Sequence, residues 1–461
     1  MNKVDPDILQ EVEQTLDVAG IKRFEPYPSY KPTSVDWLGD VPDHWEVIQS
    51  RRFFKILNGS TPSSSESSYW DGDIVWVTPD DLSKNSDSDI RDSRRRISQS
   101  GYNSCGATIA PPNSIVVSTR APIGYVAIAG VSLCCNQGCR ILAPNKTLDS
   151  KFFYYQLLSA GSELSSRGRG TTFTELSYGQ LASVELLSPP LDEQQVIARF
   201  LDDQTRKIDD LIEAKQKLLD LLKEKRQAII THAVTKGINP DVQLKPSGIE
   251  WLGDVPEHWE MKKLKYTCDF SGGFTPNTKV VDYWDGDIPW VSPKDMKHRY
   301  ISETEDYVTE LAVNEVFRRI VAPKSVLIVV RSGILIHSLP VAINKTGVTI
   351  NQDMRALMPK KMLDSEYLAL LIHGNQSALL HVLTKPGTTV QSIESQYLLN
   401  EPIPVPPIDE QLDIVNYINN KIHKIDLLTT ETNKAIERLT EYRIALISAA
   451  VTGKIDVRGR A

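Results

Sequence analysis

The chain contains one helical unit twice, and this repetition limits the folds open to it more than any other feature. The sequence PPLDEQ at 189–194 opens an apolar-patterned stretch to about residue 233, and PPIDEQ at 406–411 opens another to about residue 451. Two prolines prevent a helix from starting earlier, and the following aspartate can accept free N–H groups of the first turn. We therefore predict two long helices that begin in the same way.

Both predicted helices have apolar residues at seven-residue spacing, which is typical of a coiled-coil seam. Lys215 and Thr432 interrupt the seams at equivalent positions. Two unrelated core helices are the alternative, but the shared start, spacing and interruption favour a repeat. The predicted seam comprises Ile197, Leu201, Ile208, Leu211, Leu218, Leu222 and Ile229 in the first helix, and Ile414, Ile418, Ile425, Leu428, Leu439 and Leu446 in the second.

The regions that precede the two helices also repeat. WLGDVPDHWE at 37–46 returns as WLGDVPEHWE at 251–260, and YWDGDI at 69–74 returns unchanged at 283–288. The Asp-Gly pair in the second motif predicts a turn that leads into a short strand. Each half mixes short β-branched runs with one helical segment, which indicates a compact α+β domain of about 150 residues before each long helix.

The similarity between the halves is uneven. The pair Asn-Gln at 136–137 returns at 351–352, whereas residues 83–113 and 297–324 barely resemble one another. Shared positions describe a common scaffold, and divergent stretches describe what each copy does differently. If the two halves bind targets, we expect those targets to differ.

Length and composition indicate a multidomain protein outside the membrane. The chain has 461 residues, of which 41% are hydrophobic and 24% charged, and its formal net charge is −7. It has no uninterrupted apolar run near the roughly 18 residues of a membrane span and no signal-peptide pattern, so we predict a cytoplasmic protein. Residues 1–30 are expected to form an N-terminal extension. Ile8, Leu9, Val12 and Leu16 are spaced for one short amphipathic helix within it.

The five cysteines are expected to be reduced, since nothing in the sequence indicates secretion. Cys134, Cys135 and Cys139 have a spacing that could suit a metal cluster. Their counterparts in the second half are Thr349, Ile350 and Met354. We therefore favour buried thiols over a metal site.

Catalytic motifs are absent from the sequence, which contains no phosphate-binding loop, dinucleotide fingerprint or Asn/Asp-Pro-Pro-aromatic tetrapeptide. Asp295 and Lys297, downstream of Asp287, weakly match a metal-dependent nuclease, but the lysine has no counterpart in the first half. His44 and His258, each followed by tryptophan, could be ligands or bases; we favour packing and hydrogen bonding. The sequence therefore predicts a non-enzymatic chain without a metal site.

Basic and polar residues recur in predicted loops of both halves. Arg and Lys can neutralise phosphates or bind guanine, and Gly-Thr loops offer donors to phosphate oxygens. Any one of these residues alone could be an ordinary surface charge, but their repeated placement favours a DNA-binding surface. The candidates are Arg91, Arg94, Arg95, Arg96, Arg120, Arg167, Arg169, Thr171 and Thr172 in the first half, and Lys294, Lys297, Arg299, Arg331, Lys385, Thr388 and Thr389 in the second.

Over about residues 30–457 the sequence resembles the specificity subunits of Type I restriction–modification enzymes. The resemblance is carried in duplicate and in order by the lysine-proline and WLGxVPxHW motif, by YWDGDI, by PPxDEQ and by an Ala-Val-Thr that ends each long helix. The extension before residue 30 departs from the family pattern.

The resemblance implies a fold, a function and partners. It implies two target-recognition domains, each reading half of a bipartite, asymmetric site in double-stranded DNA, with two long helices forming an antiparallel coiled coil in a pseudo-twofold repeat. Two adenine methyltransferase subunits and restriction/translocase subunits are the expected partners. They would use S-adenosylmethionine and ATP with Mg²⁺, and this chain would hold no cofactor. A stand-alone DNA-binding or coiled-coil scaffold protein is the alternative.

The expected domains are the extension, two recognition domains and two spacer helices. A helix of about 42 residues is ~60 Å long, which limits the separation of half-site centres to roughly 18 base pairs. We therefore expect helix length to set the unread spacer. The predicted boundaries are 1–30 for the extension, 31–188 and 237–405 for the recognition domains, and 189–236 and 406–457 for the helices.

Overall fold

The computed structural model describes residues 24–85, 87–168, 174–384 and 392–459. They divide into two units, of which the first holds the chain up to Lys215 together with Asn433 onward, and the second holds Gln216–Thr432. Each unit contains one mixed α/β domain and about half of each long helix. The predicted amphipathic helix of Ile8, Leu9, Val12 and Leu16 lies outside the described residues.

The domain of the first unit is built on a five-stranded and a three-stranded sheet. The five strands are, in spatial order, Phe54–Asn58, Cys139–Pro144, Ile115–Ser118, Val126–Ala129 and Asp89–Ile90; the three are Leu133–Cys135, Trp70–Val77 and Arg96–Ile97. Two further antiparallel pairs join Tyr30–Lys31 to Val41–Pro42 and Glu46–Gln49 to Glu185–Ser188. The strand pairs are antiparallel except for the edge strand Asp89–Ile90 and for Leu133–Cys135, which pair in parallel.

The second unit repeats this topology strand for strand. Its five strands are Cys268–Gly272, Met354–Pro359, Val326–Val329, Val341–Asn344 and Tyr300–Ile301, and its three are Asp306–Val308, Trp284–Val291 and Thr349–Ile350. The added pairs are Leu244–Pro246 with Asp254–Pro256 and Glu260–Lys263 with Pro402–Val405. The predicted duplication of an α+β domain is confirmed.

Short helices cover the sheets, and the principal one begins at a Leu-Asp-Ser sequence in each unit, at 148–150 and 363–365. Asp149 and Asp364 cap these helices by accepting backbone N–H groups of the first turn. The α-helices of the first domain are Pro79–Lys84, Gln99–Ser104, Ser150–Ser159, Gly161–Arg167 and Tyr178–Ala182; those of the second are Leu264–Thr267, Glu310–Ala312, Ser365–Gly374, Gln376–Leu383 and Ser395–Asn400. Single helical turns are Ser50–Arg52, Ser67–Tyr69, Val281–Tyr283, Pro293–Asp295 and Gly333–Ile336, and Val313–Phe317 is a π-helical turn.

The Asp-Gly motif does not form the predicted turn before a strand. Asp71 and Gly72 lie inside the continuous strand Trp70–Val77, where a register shift places both Trp70 and Ile74 opposite Ile97. Asp71 has a φ of 58°, and a Cβ on Gly72 would lie 2.4 Å from the Ser98 Cα. The motif therefore makes a bulge that lets another backbone approach closely.

The two long helices run over Leu191–Lys236 and Ile408–Val451. In the first unit the early part of the first helix shares a core with the late part of the second, through Leu201 and Leu446 among others. In the second unit the late part of the first helix shares a core with the early part of the second, through Val234 and Ile418 among others. The predicted antiparallel pairing is confirmed within each unit.

Ion pairs between the helices follow the same repeat. Arg443 donates to Asp209 with an Nη2–Oδ2 distance of 3.1 Å in the first unit, and Arg226 donates to Asp426 in the second. Each pair joins one arginine and one aspartate whose counterparts form the other pair, because 209 corresponds to 426 and 226 to 443. Equivalent ion pairs therefore recur within each unit, as the duplication of the sequence predicts.

Burial is uneven along the predicted seam, because most of its positions are buried or partly buried and three are exposed. Leu211, Leu218 and Leu428 are 44%, 43% and 55% exposed. A straight helix drifts ~20° per heptad from an exact seven-residue repeat, so the buried stripe moves to neighbouring positions such as Ile212 and Ile230. The buried seam residues are Ile197, Leu201, Ile208, Leu222, Ile414, Ile418, Ile425 and Leu446, and Ile229 and Leu439 are partly buried.

The described part of the N-terminal extension belongs to the first unit's core. Tyr30 donates to the Gly453 carbonyl at 2.9 Å, and Glu25 forms a β-bridge with Asp456. Val457, near the C-terminus, is fully buried. The segment before the first domain and the segment after the second helix therefore close the same unit together.

Candidate nucleic-acid interface

The repeated histidine-tryptophan motif joins each domain to a long helix. His44 Nε2 lies 2.9 Å from Glu193 Oε2, and His258 Nε2 lies 2.7 Å from Glu410 Oε2. Each glutamate belongs to the PPxDEQ motif at the helix start. The favoured interpretation of the histidines as hydrogen-bonding residues is confirmed.

The glutamine of the same motif makes a second connection. Gln194 accepts a hydrogen bond from the Asp149 backbone N–H at 3.0 Å, and Gln411 accepts one from Asp364 at 2.8 Å. These are the residues that cap the principal domain helices. The PPxDEQ motif thus fixes a domain to its long helix in each unit and has a structural role.

Chain reversals cluster at one end of each five-stranded sheet, which we call the loop edge. In the first unit it is the end where strands 54–58 and 115–118 finish and strands 126–129 and 139–144 begin. In the second unit, strands 268–272 and 326–329 finish there, and strands 341–344 and 354–359 begin there. The repeated Asn-Gln pair lies at this edge in both units.

A glycine permits the loops of this edge to touch. A Cβ on Gly59 would lie 1.8 Å from the Asn136 carbonyl oxygen, and one on Gly273 would lie 2.0 Å from the Asn351 carbonyl oxygen. Two residues further on, Thr61 donates a hydrogen bond to Gln137. Thr275 donates to Gln352 in the same way. Both glutamines are exposed, so each unit presents a Thr–Gln pair to solvent at the same place.

An arginine lies beside each Asn-Gln loop. The Arg120 N–H donates to the Gly138 carbonyl, and the Arg331 N–H donates to the Asp353 carbonyl, at 3.3 Å in both cases. The Arg120 Nε is 3.1 Å from Glu175 Oε2, and the Arg331 Nε is 2.7 Å from Asp353 Oδ1. In each unit the structure thus places one predicted DNA-binding residue, Arg120 or Arg331, beside the Asn-Gln loop.

The remaining basic candidates of the first unit are spread over several places. Arg91 follows strand Asp89–Ile90 at the end of the sheet opposite the loop edge. Arg94 donates its backbone N–H to Asp81 at 2.8 Å, while the Arg95 guanidinium lies 3.4 Å from the centre of the Trp70 ring. Arg96 pairs with Asp92 at 2.9 Å and Arg167 with Glu163 at 2.5 Å.

Three basic candidates of the second unit, Lys294, Lys297 and Arg299, form ion pairs with acidic side chains. Lys294 lies 2.8 Å from Asp306, and Lys297 lies 3.5 Å from Glu305. Arg299 is only partly exposed and donates to Glu366 at 2.6 Å and to Asn419 of the second long helix at 2.8 Å. Arg299 therefore ties the domain to the helix, away from the loop edge. The candidates Arg169, Thr171, Thr172, Lys385, Thr388 and Thr389 lie outside the described residues.

Two arginines at the loop edge were missed by the sequence analysis. Arg140 lies opposite Asn58 at the start of strand Cys139–Pro144, and Arg355 lies opposite Gly272 at the start of Met354–Pro359. Each follows its Asn-Gln pair by the same three-residue spacing. The repeated spacing could have identified these arginines from the sequence. A single arginine within an apolar strand gives no indication of function when it is considered alone.

The loop edges differ in their apolar side chains. Phe274, Ile334 and Ile336 are exposed at the loop edge of the second unit, and Tyr125 is exposed at that of the first. Apolar side chains can contact the methyl group of thymine in the major groove. The two edges therefore share polar and basic positions and differ in apolar ones.

The weak nuclease motif has a structural role. Asp295 Oδ2 accepts the Ser292 backbone N–H at 2.8 Å, and Oδ1 accepts the Glu305 N–H at 2.9 Å. Its counterpart Asp81 binds Thr78 and Arg94 N–H groups in the same way. Within the described ranges, no three His, Cys, Asp or Glu side chains gather as metal ligands would.

The cysteines do not converge on one point. Cys134 lies in a cluster with Trp70 and Trp76, whereas Cys135 and Cys139 lie in the neighbouring apolar core. Burial raises the pKa of all three thiols. They are packing residues in the reduced state.

Comparison with known proteins identifies the family. The model of the Type I restriction modification DNA specificity domain matches residues 42–221 and again 256–438. The chain belongs to this family. The resemblance drawn from the repeated motifs is therefore confirmed, and each copy of the specificity domain includes most of one long helix.

Relatives of this specificity family match over nearly the whole chain or over part of it. The MjaIX specificity subunit of Methanocaldococcus jannaschii is 27% identical over 94% of this chain and 98% of its own length. The EcoR124I/EcoR124II specificity subunit of Escherichia coli is 38% identical over 40% of this chain and 45% of its own.

Solved structures share the fold of the specificity family. One from a study of complex assembly and conformational transition of the type I R-M system has a TM-score of 0.70 at 16% identity, covering 89% of this chain and 98% of that one. The HsdS subunit from Thermoanaerobacter tengcongensis has a TM-score of 0.56 at 17% identity, covering 90% and 98%. In the described part of this chain, no helix is both long and apolar enough to span a membrane.

Proposed function

We propose that this chain is the DNA sequence-specificity subunit of a Type I restriction–modification complex. Each unit reads one half of a bipartite, asymmetric site in double-stranded DNA. The observation that carries the proposal is the duplicated specificity domain, whose copies share a scaffold and differ in the stretches 83–113 and 297–324. Two similar domains with unlike variable parts suit two unlike half-sites.

The loop edge is the surface that we assign to DNA. It offers arginines and an exposed glutamine in each unit, and both kinds of side chain can donate hydrogen bonds to phosphate oxygens. The acidic net charge of −7 is compatible with this role, because recognition depends on local charge. Thr171, Thr172, Thr388 and Thr389 lie outside the described residues and remain candidate donors to phosphate oxygens.

The reactions belong to partner subunits in this proposal. Two adenine methyltransferase subunits bind this chain, and restriction/translocase subunits join them. S-adenosylmethionine and ATP with Mg²⁺ are bound by the partners, which carry out methylation and cleavage at the address this chain selects. The cytoplasm, which holds these cofactors and the DNA, is the corresponding location.

Exposed leucines on the long helices support the docking of partners. Leu211, Leu218 and Leu221 are exposed along the first helix, and Leu427 and Leu428 along the second. Apolar side chains at helical spacing on a solvent-facing surface suit a partner helix. The three leucines that leave the intrachain seam thereby acquire a role.

Mapping of methylated bases tests the proposal. The chain is expressed with Type I methyltransferase subunits, and methylation-sensitive sequencing identifies the target. We expect two unlike half-sites separated by unread bases, with methylation dependent on this chain. A single continuous site, or methylation unchanged when this chain is omitted, would contradict the proposal.

A further inference from the structure

Arg140 and Arg355 occupy the same place in the two units. Each is the second residue of the strand that begins at the loop edge, and each follows a residue paired to the end of the neighbouring strand, Cys139 to Ser118 and Met354 to Val329. Alternate residues of a strand share one face, so Arg140 lies on the same sheet face as the buried Leu142. A charged side chain at the end of this apolar face is held close to the loop edge.

The two guanidinium groups lack carboxylate partners among the described residues. Arg140 donates through Nη1 to the Asn58 amide oxygen, and its buried Nε has no hydrogen-bond partner in the same described set. Arg355 donates to the Met354 carbonyl at 3.0 Å. Most basic candidates named from the sequence are instead neutralised by an aspartate or glutamate. Arg140 and Arg355 thus keep donors and positive charge for a ligand.

An open groove gives access to Arg140. Arg140 lines it together with Glu175, Ser177 and Gln180, and its volume is about 530 Å³. The single carboxylate in this lining, that of Glu175, is held by Arg120. The groove therefore offers a cation and polar side chains to an anion at the loop edge.

Both loop edges carry the same charges by different means. The first combines Arg120, Arg140 and Glu175, and the second combines Arg331, Arg355 and Asp353. The acids occupy positions that are not equivalent in the two units. Arg120 forms a β-bridge with Glu175, whereas Arg331 forms the equivalent bridge with Ser392. The Arg331 N–H donates to the Asp353 carbonyl, whereas the Arg120 N–H donates to the carbonyl of Gly138. Two arginines and one carboxylate thus recur although the acid has moved, which indicates a common requirement for this charge.

We infer that Arg140 and Arg355 each bind a phosphate of the DNA backbone, one in each half-site. Residues common to two units that read unlike sequences cannot tell those sequences apart, whereas phosphates are common to every sequence. The guanidinium fork suits phosphate geometry, and such contacts fix the register of a protein on the duplex. The inference rests on the proposed function, and it assigns base reading to the divergent residues.

Salt-dependent binding of the full chain with its methyltransferase subunits tests the inference. Arg140→Gln and Arg355→Gln are measured separately on the mapped target and on duplexes with altered half-sites. Each change is expected to weaken binding roughly tenfold on every duplex and to lower the slope of log affinity against log salt by about 1. An unchanged slope, or a loss confined to one base position, would overturn the inference.

Lys55→Gln is the matched control. Lys55 is exposed in strand Phe54–Asn58 of the same sheet but lies near the end away from the loop edge, opposite Ala143. The Lys55→Gln substitution removes one positive charge, as the arginine substitutions do, and should leave the slope of log affinity against log salt unchanged. If that slope decreased as much as in the arginine variants, the effect would be a general one of charge, and the phosphate assignment would be refuted. If Arg140→Gln unfolds, Arg355→Gln makes the same test in the other unit. Failure of the unaltered complex to prefer its target would count against the proposed function instead.

Discussion

Glu193 binds three side chains of the first unit at one carboxylate. Tyr27 donates its hydroxyl at 2.6 Å and the Trp45 indole donates at 3.2 Å, both to Oε1, while His44 lies at Oε2. Burial, together with the hydrogen bond to Glu193, raises the pKa of Tyr27 well above its ordinary value. In the second unit, the hydrogen bonds of the described residues give Glu410 only His258. The same motif residue therefore has unequal structural weight in the two units.

Substitution of these glutamates should show the difference. Glu193→Ala leaves the buried Tyr27 hydroxyl and Trp45 indole without an acceptor, so the free energy of unfolding should fall by about 2–4 kcal/mol. Glu410→Ala removes a partly exposed pair and should cost less than about 1 kcal/mol. Urea unfolding followed by circular dichroism measures both. Equal losses would show that the carboxylate acts through the helix terminus alone.

Thiol reactivity is a second test at this scale. Burial raises the pKa of Cys134 and of Cys268 to about 12. A raised pKa leaves less of the reactive thiolate, about 1 part in 10⁴ at pH 8. Cys105, which is partly exposed, should therefore be the first site alkylated by iodoacetamide in the folded protein. Mass spectrometry locates the label, and Cys105→Ser should abolish the early product; rapid labelling of Cys134 would contradict the buried assignment.

Each long helix stabilises the protein through a stripe that drifts around its axis. Leu201 is fully buried, and Leu211 on the same helix is 44% exposed. Leu201→Ala should lower the free energy of unfolding by about 3 kcal/mol, and Leu211→Ala by less than about 1 kcal/mol. Urea unfolding of the isolated chain compares the two. Similar losses of unfolding free energy in the two variants would show that Leu211 packs between the two long helices.

Helix length is expected to set the unread spacer between half-sites. Removal of residues 212–218 and of their counterparts 429–435 takes one heptad from each helix. Each helix then shortens by about 10 Å, which corresponds to roughly three base pairs. Methylation mapping should report a shorter spacer with the same two half-sites. An unchanged spacer would reject the helices as the measure of separation.

The sequence predicted the elements better than the contacts. Repeated motifs predicted the two domains and the helix starts, because each depends on local signals present twice, whereas the antiparallel pairing was implied by the family resemblance. The exposure of Leu218 was not predictable from heptad spacing, since the drift accumulates along a straight helix. The Asp71-Gly72 pair has the composition of a turn, and only its pairing with the strand that contains Ile97 shows that it forms a bulge.

The candidate site was predicted only in part, for a physical reason. Arg120 and Arg331 lie at the loop edge, where the repeat suggested functional residues. Arg299 binds Glu366 and Asn419, which are distant in sequence, so its structural role becomes visible only in the fold. Arg140 was missed because its meaning depends on the neighbouring strand that ends at Asn58.

At the scale of the whole molecule, one scaffold is used twice with different variable parts. Strand order, helix caps and the attachment of each domain to its helix are the same in both units. The stretches 83–113 and 297–324 differ, and they adjoin this common framework. Specificity for each half-site should therefore be separable from the rest of the chain.

Exchange of residues 83–113 for the corresponding stretch of a related specificity subunit tests the central claim most directly. Methylation-sensitive sequencing of DNA modified by the complete complex would read both half-sites before and after the exchange. The account predicts a new sequence in one half-site, with the other half-site and the spacer retained. A change in both half-sites, or in neither, would contradict it.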